Sequence, residues 1–577
     1  MRAFWNKNGK TGLIAPSPEV TKKSPSADQM VPPVRLTLDE LCCRFNPESL
    51  SFDTTANLPV KHLSVGQERA VRAIAFGLKI KSRGFNVFVS GLAGTGKDSA
   101  IFQELNSIAK SEPVPDDICY VYNHKNPQSP KLIYFPAGSG KKFKCEIMEL
   151  LGKITEIFQK SQQKDYSQIP VAVDGLFREI SQRFSAVKGL SEYLLALKEE
   201  LLKNIGKYEP GNSLDKFSFL VNPEKYEINL LVDNSETNGA PVIVERNPSY
   251  SNLFGYIQCR VENSFVVADH LCLNAGSVHR ARGGYLILEV EEILGDLHAW
   301  NALKKLLRHG NTNIEYNPER TFMFPGVFLK PEPLSIDLKV ILTGDPVFYQ
   351  TLYNNDDEFV RIFKVKADFA EQLSKTDENI DGLVSFIARI CNEENLRHCD
   401  RTAVTRIIDY SSRLAEHKQR LSAQFEKIAD LLREANFHAC QNECPYITGE
   451  HIILACEALK YRCSTMEEKI YGLIEDSTLH LDTTGWEIGQ VNGISIINNG
   501  DYVFGVPSRI TARTFIGTGN IINIEREAEM SGKIHAKGVL ILSGYLGQTY
   551  AQDKPLALSA SICFEQHYEE IDGDSAS

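Results

Sequence analysis

The residues with the plainest chemistry run Gly91-Leu92-Ala93-Gly94-Thr95-Gly96-Lys97-Asp98. They follow FNVFVSG, which reads as a short buried strand, and they open a segment of helical spacing. Strand, glycine turn and helix in that order is the setting a phosphate-binding loop requires. The glycines let backbone N–H groups turn inward around phosphate oxygens. The helix N-terminus adds positive potential, and Lys97 supplies a point charge. Gly91, Gly94, Thr95, Gly96, Lys97, Asp98 and Ser99 are therefore the expected nucleotide contacts, with ATP as ligand and Mg²⁺ as its counter-ion. Gly66-Gln67 precedes the loop by one helix, and a backbone contact from Gln67 to a base is expected there.

One position departs from the pattern. The hydroxyl that ordinarily ligates Mg²⁺ falls at Asp98, and Ser99 comes one residue late, about 100° around the helix. A carboxylate can ligate Mg²⁺, but it also faces phosphate charge. At ~5 Å and an effective dielectric of ~20, each like-charge pair costs about 3 kcal/mol before a metal compensates. Binding without brisk hydrolysis follows as an expectation.

The partner of such a loop is a hydrophobic strand ending in acids, and GGYLILEVEEIL fits. Glu289 stands where a Mg²⁺-associated acid belongs, so Asp98 and Glu289 are the expected metal ligands. The water-activating glutamate would fall at Val290, which cannot take a proton; Glu291 or Glu292 could substitute. LKVILTGDP reads as a third core strand whose Thr343 or Asp345 could reach the terminal phosphate or its water. Arg361 could reach a neighbouring subunit's nucleotide, and Arg413 could contact nucleotide in cis, although each taken singly is more simply a solvated or ion-paired side chain.

These groups need a scaffold to bring them together. The chain has 577 residues, too many for one core. Its 42% hydrophobic and 24% charged residues are the balance of a soluble globular protein. No stretch approaches the ~18 apolar residues that span a bilayer, and the N-terminus lacks a secretory apolar segment. A net charge of -11 gives little support to nucleic acid as partner. The 13 cysteines are scattered, which suits a reducing compartment. Cys440, Cys444, His438 and His451 lie close enough for a zinc site, but half-buried thiols on helices are the plainer reading.

Composition divides the chain further. Residues 1–34, rich in Pro, Ser and Lys, read as a disordered tail. Residues 35–140 and 236–370 read as two parts of one α/β domain. Lys97 and Glu289 are 192 residues apart, and an inserted segment at 141–235 absorbs the excess. There Ile180, Phe184, Val187, Leu190, Leu194, Leu197 and Leu201 approach the 3.5 period of a coiled-coil seam, so a helical hairpin is expected. Residues 371–470 read as an all-α lid; Ala403–Ala435 contains neither glycine nor proline. From about 485, glycine-punctuated alternation, GVLILSGYL included, suggests a separate α+β domain, taken as 471–577.

Together these features resemble the AAA+ superfamily, and the C-terminal stretch narrows the likeness. GQVNGISI, FGVPSRITA, NIEREAEMSGKIHAKGVLILSGYL and LALSASICFEQHYEEIDGDSAS resemble the proteolytic domain of Lon. RNPSYSNLFGYIQ and SVHRARGGYLIL extend the match to the Lon-related ATP-dependent proteases over about 36–577. The resemblance implies an α/β chain: an AAA+ P-loop core with an inserted helical hairpin, an all-α lid, and an incomplete α+β Lon-type peptidase domain.

The resemblance also implies a Ser-Lys dyad. Ser575, in Asp574-Ser575-Ala576, matches the nucleophile. A serine hydroxyl needs a base within hydrogen-bond reach, and in Lon-type domains that base is a lysine a few dozen residues further on, beyond Ser577. Lys533 and Lys537 are upstream, and no motif assigns either as base. Losing nucleophile or base in a serine protease costs roughly 10⁶ in kcat, so a fragment with doubtful peptidase activity is the expectation. The family implies ATP-dependent endopeptidase action on unfolded or damaged proteins by a cytoplasmic homo-hexamer. Two alternatives stand beside it: an AAA+ remodelling protein without peptidase activity, and an ATP-independent Lon-like protease.

Overall fold

The computed structural model describes residues 36–37, 44–59, 65–161, 169–206, 223–262, 265–316, 329–500, 502–517, 521–552, 554, 557–567 and 570–573. The tail expected at 1–34 lies outside the described residues, as does Ser575. Residues 1–45 make a unit of their own, and all that follows concerns residues 46–577.

The principal elements run α1 (Glu68–Lys79), β1 (Val87–Ser90), α2 (Lys97–Ala109), β2 (Asp117–Val121), β3 (Lys131–Phe135), α3 (Ser139–Ser161), α4 (Ile169–Arg183), α5 (Leu190–Gly206), β4 (Asn229–Val232), β5 (Val242–Glu245), β6 (Tyr285–Glu289), β7 (Lys339–Gly344) and β8 (Val365–Asp368). Four lid helices follow: α6 (Asp377–Glu393), α7 (Arg401–Leu414), α8 (Phe425–Gln441) and α9 (Gly449–Cys463). Last come β9 (Gln490–Asn498), β10 (Val503–Ile516), β11 (Ile521–Asn523), α10 (Lys533–Tyr550) and β12 (Leu558–Glu565).

Five strands form a parallel sheet in the order β8-β1-β7-β6-β5. Its strands are near-continuous apolar runs because both faces are covered. Successive residues point to opposite faces. Phe88, Leu286, Leu288, Val340 and Leu342 join one core. Val87, Val89, Ile287 and Ile341 join another, beneath α1 and α2. The carboxyl ends of β1, β6 and β7 finish side by side, at Ser90, Glu289 and Gly344. A crevice beyond strand carboxyl ends is where open α/β sheets bind ligands.

DDICYVYN and KLIYFPAG do form strands, but neither joins the parallel sheet. β2 pairs antiparallel with β3 and β4 in a small sheet, which shares a separate core with α3, α4 and α5. Asp117 ties the base of this unit, its Oδ2 accepting from Gly140 N–H at 2.9 Å and its Oδ1 from Asn234 N–H at 2.8 Å. The seven residues read as a coiled-coil seam fill one core but do not make one seam. α4 ends at Arg183 and α5 begins at Leu190, and Gly189, at φ +79°, turns the chain between them.

The Ala403–Ala435 stretch is likewise broken. Glu416 adopts φ +49°, and Arg420–Ser422 pairs antiparallel with Gln372–Ser374 before α8 starts. In the last domain four strands order as β9-β10-β12-β11. GVLILSGYL, expected to alternate as a strand, lies inside helix α10 instead. A short apolar run does not separate strand from buried helix by periodicity. Asp572 decides the start of that helix, its Oδ1 accepting from Ile534 and His535 N–H at 2.9 and 3.0 Å. Ile494 and Ile496 of β9 and Leu540 and Ile541 of α10 are all exposed. No described helix is long and apolar enough to cross a membrane.

Candidate functional site

A cavity of about 700 Å³ lies where β1, β6 and β7 end and the lid begins. Its floor is the loop from Gly91 to Ser99. Gly94 and Gly96 take φ +76° and +82°, a region closed to most side chains, and Gly96 caps α2. A Cβ on Gly91 would stand 2.8 Å from Phe369 Cβ and 3.2 Å from Thr95 Oγ1, so this glycine has no room to grow. Gly91 N–H donates to Gly344 O at 3.1 Å and Thr95 Oγ1 donates to Leu92 O at 2.8 Å, fixing both ends of the turn.

Lys97 opens α2 and folds back, its Nζ donating to Gly91 O at 2.5 Å. Burial pushes its ammonium below the ordinary lysine range, while Asp98, Asp345, Glu291 and Glu289 pull it back up. Four carboxylates thus face one cation. Glu289 stands opposite Thr343 across the β6–β7 register, and Thr343 Oγ1 donates to Leu288 O at 3.5 Å. Asp345 caps the next helix by accepting from Val347 N–H at 2.8 Å. Gln67 lines the cavity, but its side-chain amide is committed, bonding both Ala370 O at 2.8 Å and Ala370 N–H at 2.9 Å. Its carbonyl accepts from Val71 N–H at 3.0 Å, so the expected backbone contact falls to its N–H.

The residues fit a nucleotide with Mg²⁺. A glycine turn at a helix N-terminus, a half-buried lysine and carboxylates beyond it form the donor set such a ligand needs. Among the described residues no three His, Cys, Asp or Glu side chains are grouped to hold a metal by themselves. Asp98 and Glu289 would therefore hold Mg²⁺ together with phosphate oxygens and water, and the ion would neutralise phosphate charge there.

Three family models match parts of the chain: "LonB-like, AAA domain" over 238–370, "Archaeal LonB, AAA+ ATPase LID domain" over 398–462, and "Lon-like LonC helical domain" over 117–150. Lon protease homologs of Haemophilus influenzae and Escherichia coli are each 28% identical, over 309 and 315 residues. Those matches cover 52% and 53% of this chain and 49% and 52% of the relatives, so the chain spans about half the length of these two. An archaeal Lon protease of Archaeoglobus fulgidus is 23% identical over 538 residues, covering 92% of this chain and 80% of that one. The chain is similar to Lon-related proteases over most of its length.

The two longer matches describe an AAA domain and its lid. The AAA match spans β5 to β8, the lid match α7 to α9, and the LonC-like match β2, β3 and the first half of α3. The Gly91–Ser99 loop itself lies outside all three.

The cavity gathers Gly91, Gly94, Thr95, Gly96, Lys97, Asp98, Ser99, Glu289, Gln67 and Asp345. Glu291 and Thr343 also line it. Val290 does not; it is fully buried in the core. Arg361 and Arg413 are exposed and lie off the cavity walls. Arg413 lies in the last turn of α7, while the lid helices that reach the cavity are α6 and α8.

Those two helices bring residues that sequence reasoning missed. From α6 come Phe386, Arg389 and Glu393, and from α8 come Glu426 and Arg433. The Arg389 guanidinium lies 5.4 Å from the Phe386 ring centre and 3.9 Å from Glu393 Oε1, and its buried Nε makes no hydrogen bond among the described residues. Arg433 is engaged, donating to both Glu394 oxygens at 2.8 and 2.6 Å and to Asp430 at 2.5 Å. Only the polar positions on helices α6 and α8 hinted at them, since nothing local in sequence marks which helix face meets the loop.

Proposed function

We propose that this chain binds Mg-ATP in the cavity and serves as the AAA+ engine of a Lon-type serine endopeptidase acting on unfolded or damaged proteins, with slow turnover of its nucleotide. The observation that carries the reading is the meeting of Lys97, Glu289, Thr343 and Arg389 around one cavity at the end of a parallel sheet. Gly94–Ser99 would cradle the phosphates, Lys97 and Arg389 would oppose their charge, and Asp98 and Glu289 would hold the metal. Thr343 would orient the terminal phosphate. Glu291 is the carboxylate left to orient water, because Val290 is sealed in the core.

The family likeness supports Ser575 as the peptidase nucleophile. It also supports a cytoplasmic homo-hexamer in which the exposed Arg361 reaches the neighbouring subunit's nucleotide. The exposed apolar residues of β9 and α10 support a peptidase domain that is completed by further covering surface. One observation favours a second reading, an ATP-independent Lon-like protease: the buried Val290 leaves the usual base position empty of a proton acceptor.

The test pairs ATP turnover by this chain with casein digestion, run with and without ATP, by a Lon-type assembly that supplies the dyad lysine. Slow turnover with digestion that rises in ATP is expected. Digestion indifferent to ATP would favour the second reading. No digestion in either condition would leave a nucleotide-binding remodelling protein.

A further inference from the structure

Glu426 lies in the first turn of α8, and its side chain lines the nucleotide cavity. It presses on the phosphate loop. A Cβ on Gly94 would stand 2.8 Å from Glu426 Cβ and 3.2 Å from its Oε2. The carboxylate therefore lies over the apex of the turn whose N–H groups are expected to meet phosphate.

No ion pair among the described residues neutralises it, and Arg389, the loosely held cation of the cavity, has its nearest carboxylate in Glu393 at 3.9 Å. The cavity is lined by six carboxylates, Asp98, Glu289, Glu291, Asp345, Glu393 and Glu426, against three cations, Lys97, Arg389 and Arg433. Arg433 is committed to Glu394 and Asp430. Lys97 already faces Asp98, Asp345, Glu291 and Glu289. Glu426 comes from the opposite, lid side. Among the described residues no cation pairs with it.

We propose that Glu426 is the selectivity residue of this cavity: its carboxylate penalises phosphate charge and shifts preference toward a nucleoside diphosphate over the triphosphate. The inference rests on the nucleotide reading given above and deepens it. A fixed negative charge repels a ligand in proportion to the ligand's own charge, so the extra phosphate suffers most. Magnesium on the ligand reduces the penalty, and salt screens it. The arrangement also makes nucleotide affinity depend on where the lid sits, because the same helix that carries Glu426 touches Gly94.

The experiment is equilibrium binding of fluorescent ATP and ADP analogues to the wild type, E426Q, E426K and K97A, with and without Mg²⁺ and at low and high salt. Circular dichroism melts of each variant establish that it folds. E426Q is expected to tighten ATP about tenfold, the equivalent of about 1.4 kcal/mol, and ADP by less. The gain should shrink with Mg²⁺ and with salt, and E426K should tighten ATP further. An E426Q that leaves ATP binding unchanged or weakens it, while K97A still loses binding, would overturn the role of Glu426 and leave the nucleotide site standing. If neither the wild type nor any folded variant binds nucleotide, the reading of the cavity falls, and this inference with it.

Discussion

Val290 packs its Cγ1 into the space that Gly344 leaves by having no side chain. A Cβ on Gly344 would overlap that methyl group, and Val290 is fully buried. The position expected to hold a water-activating acid is therefore part of the joint between β6 and β7. Gly344→Ala should destabilise the protein by about 1–3 kcal/mol through overpacking. Val290→Glu should not raise ATP turnover, because the new carboxylate would be buried without a partner. Thermal melts and a phosphate-release assay on both variants check this; faster hydrolysis by Val290→Glu would contradict it.

Glu291 lines the cavity while Val290 does not. If it orients the attacking water, Glu291→Gln should lower whatever ATP turnover the wild type shows by about 10²-fold, the low end for a general base. Nucleotide affinity should barely change. Single-turnover hydrolysis beside equilibrium binding separates the two effects, and an equal loss in both would assign Glu291 to binding instead.

Arg389 carries a buried Nε with no hydrogen-bond partner among the described residues, on a guanidinium held only loosely by Glu393. A charge-assisted hydrogen bond to phosphate contributes about 1.5–3 kcal/mol. Arg389→Ala should accordingly weaken ATP binding by about tenfold or more, whereas Arg413→Ala, off the cavity, should leave it unchanged. Titration calorimetry on the two variants distinguishes them, and the reverse ranking would restore Arg413 as the cis contact.

His279 gives the chain a pH dependence of known sign. Burial pushes its imidazole down to about 4, and Nδ1 accepts from Gly276 N–H at 3.0 Å. Its Nε2 is buried without a partner among the described residues. The unfolded chain takes up the proton near the ordinary histidine value, so between about pH 6.5 and 4 it binds more protons than the folded one. Stability from this residue is then complete above about pH 6.5 and is lost as pH falls, by about 3 kcal/mol at the lower end. Denaturant unfolding of the wild type and His279→Gln across that range should show the wild type alone bearing this loss.

The Gly91–Ser99 turn was legible because everything that builds it is local: a strand, glycines able to take positive φ, a helix and Lys97. Glu289 and Thr343 were legible for a related reason, each being the polar end of an apolar strand. Arg389, Glu426 and Arg433 were not. They reach the cavity from lid helices whose docking is a long-range matter, and sequence reasoning chose Arg413, on a helix that packs elsewhere. The seam from Ile180 to Leu201 misled for a different reason, since its spacing continues across a turn. Gly189 was the available signal for that turn. The apolar run GVLILSGYL was ambiguous by pattern, and Asp572, far along the chain, caps the helix it forms. Ser575 was read from family likeness alone and lies outside the described residues.

Lys97 is proposed to anchor a nucleotide in this cavity, one that turns over slowly. The most direct measurement is calorimetric titration of Mg-ATP into the wild type and Lys97→Ala, with phosphate release followed on the same samples. Saturable wild-type binding, a loss of at least about tenfold in Lys97→Ala, and slow phosphate release are expected. Equal affinity in the two proteins, or brisk hydrolysis by the wild type, would contradict it.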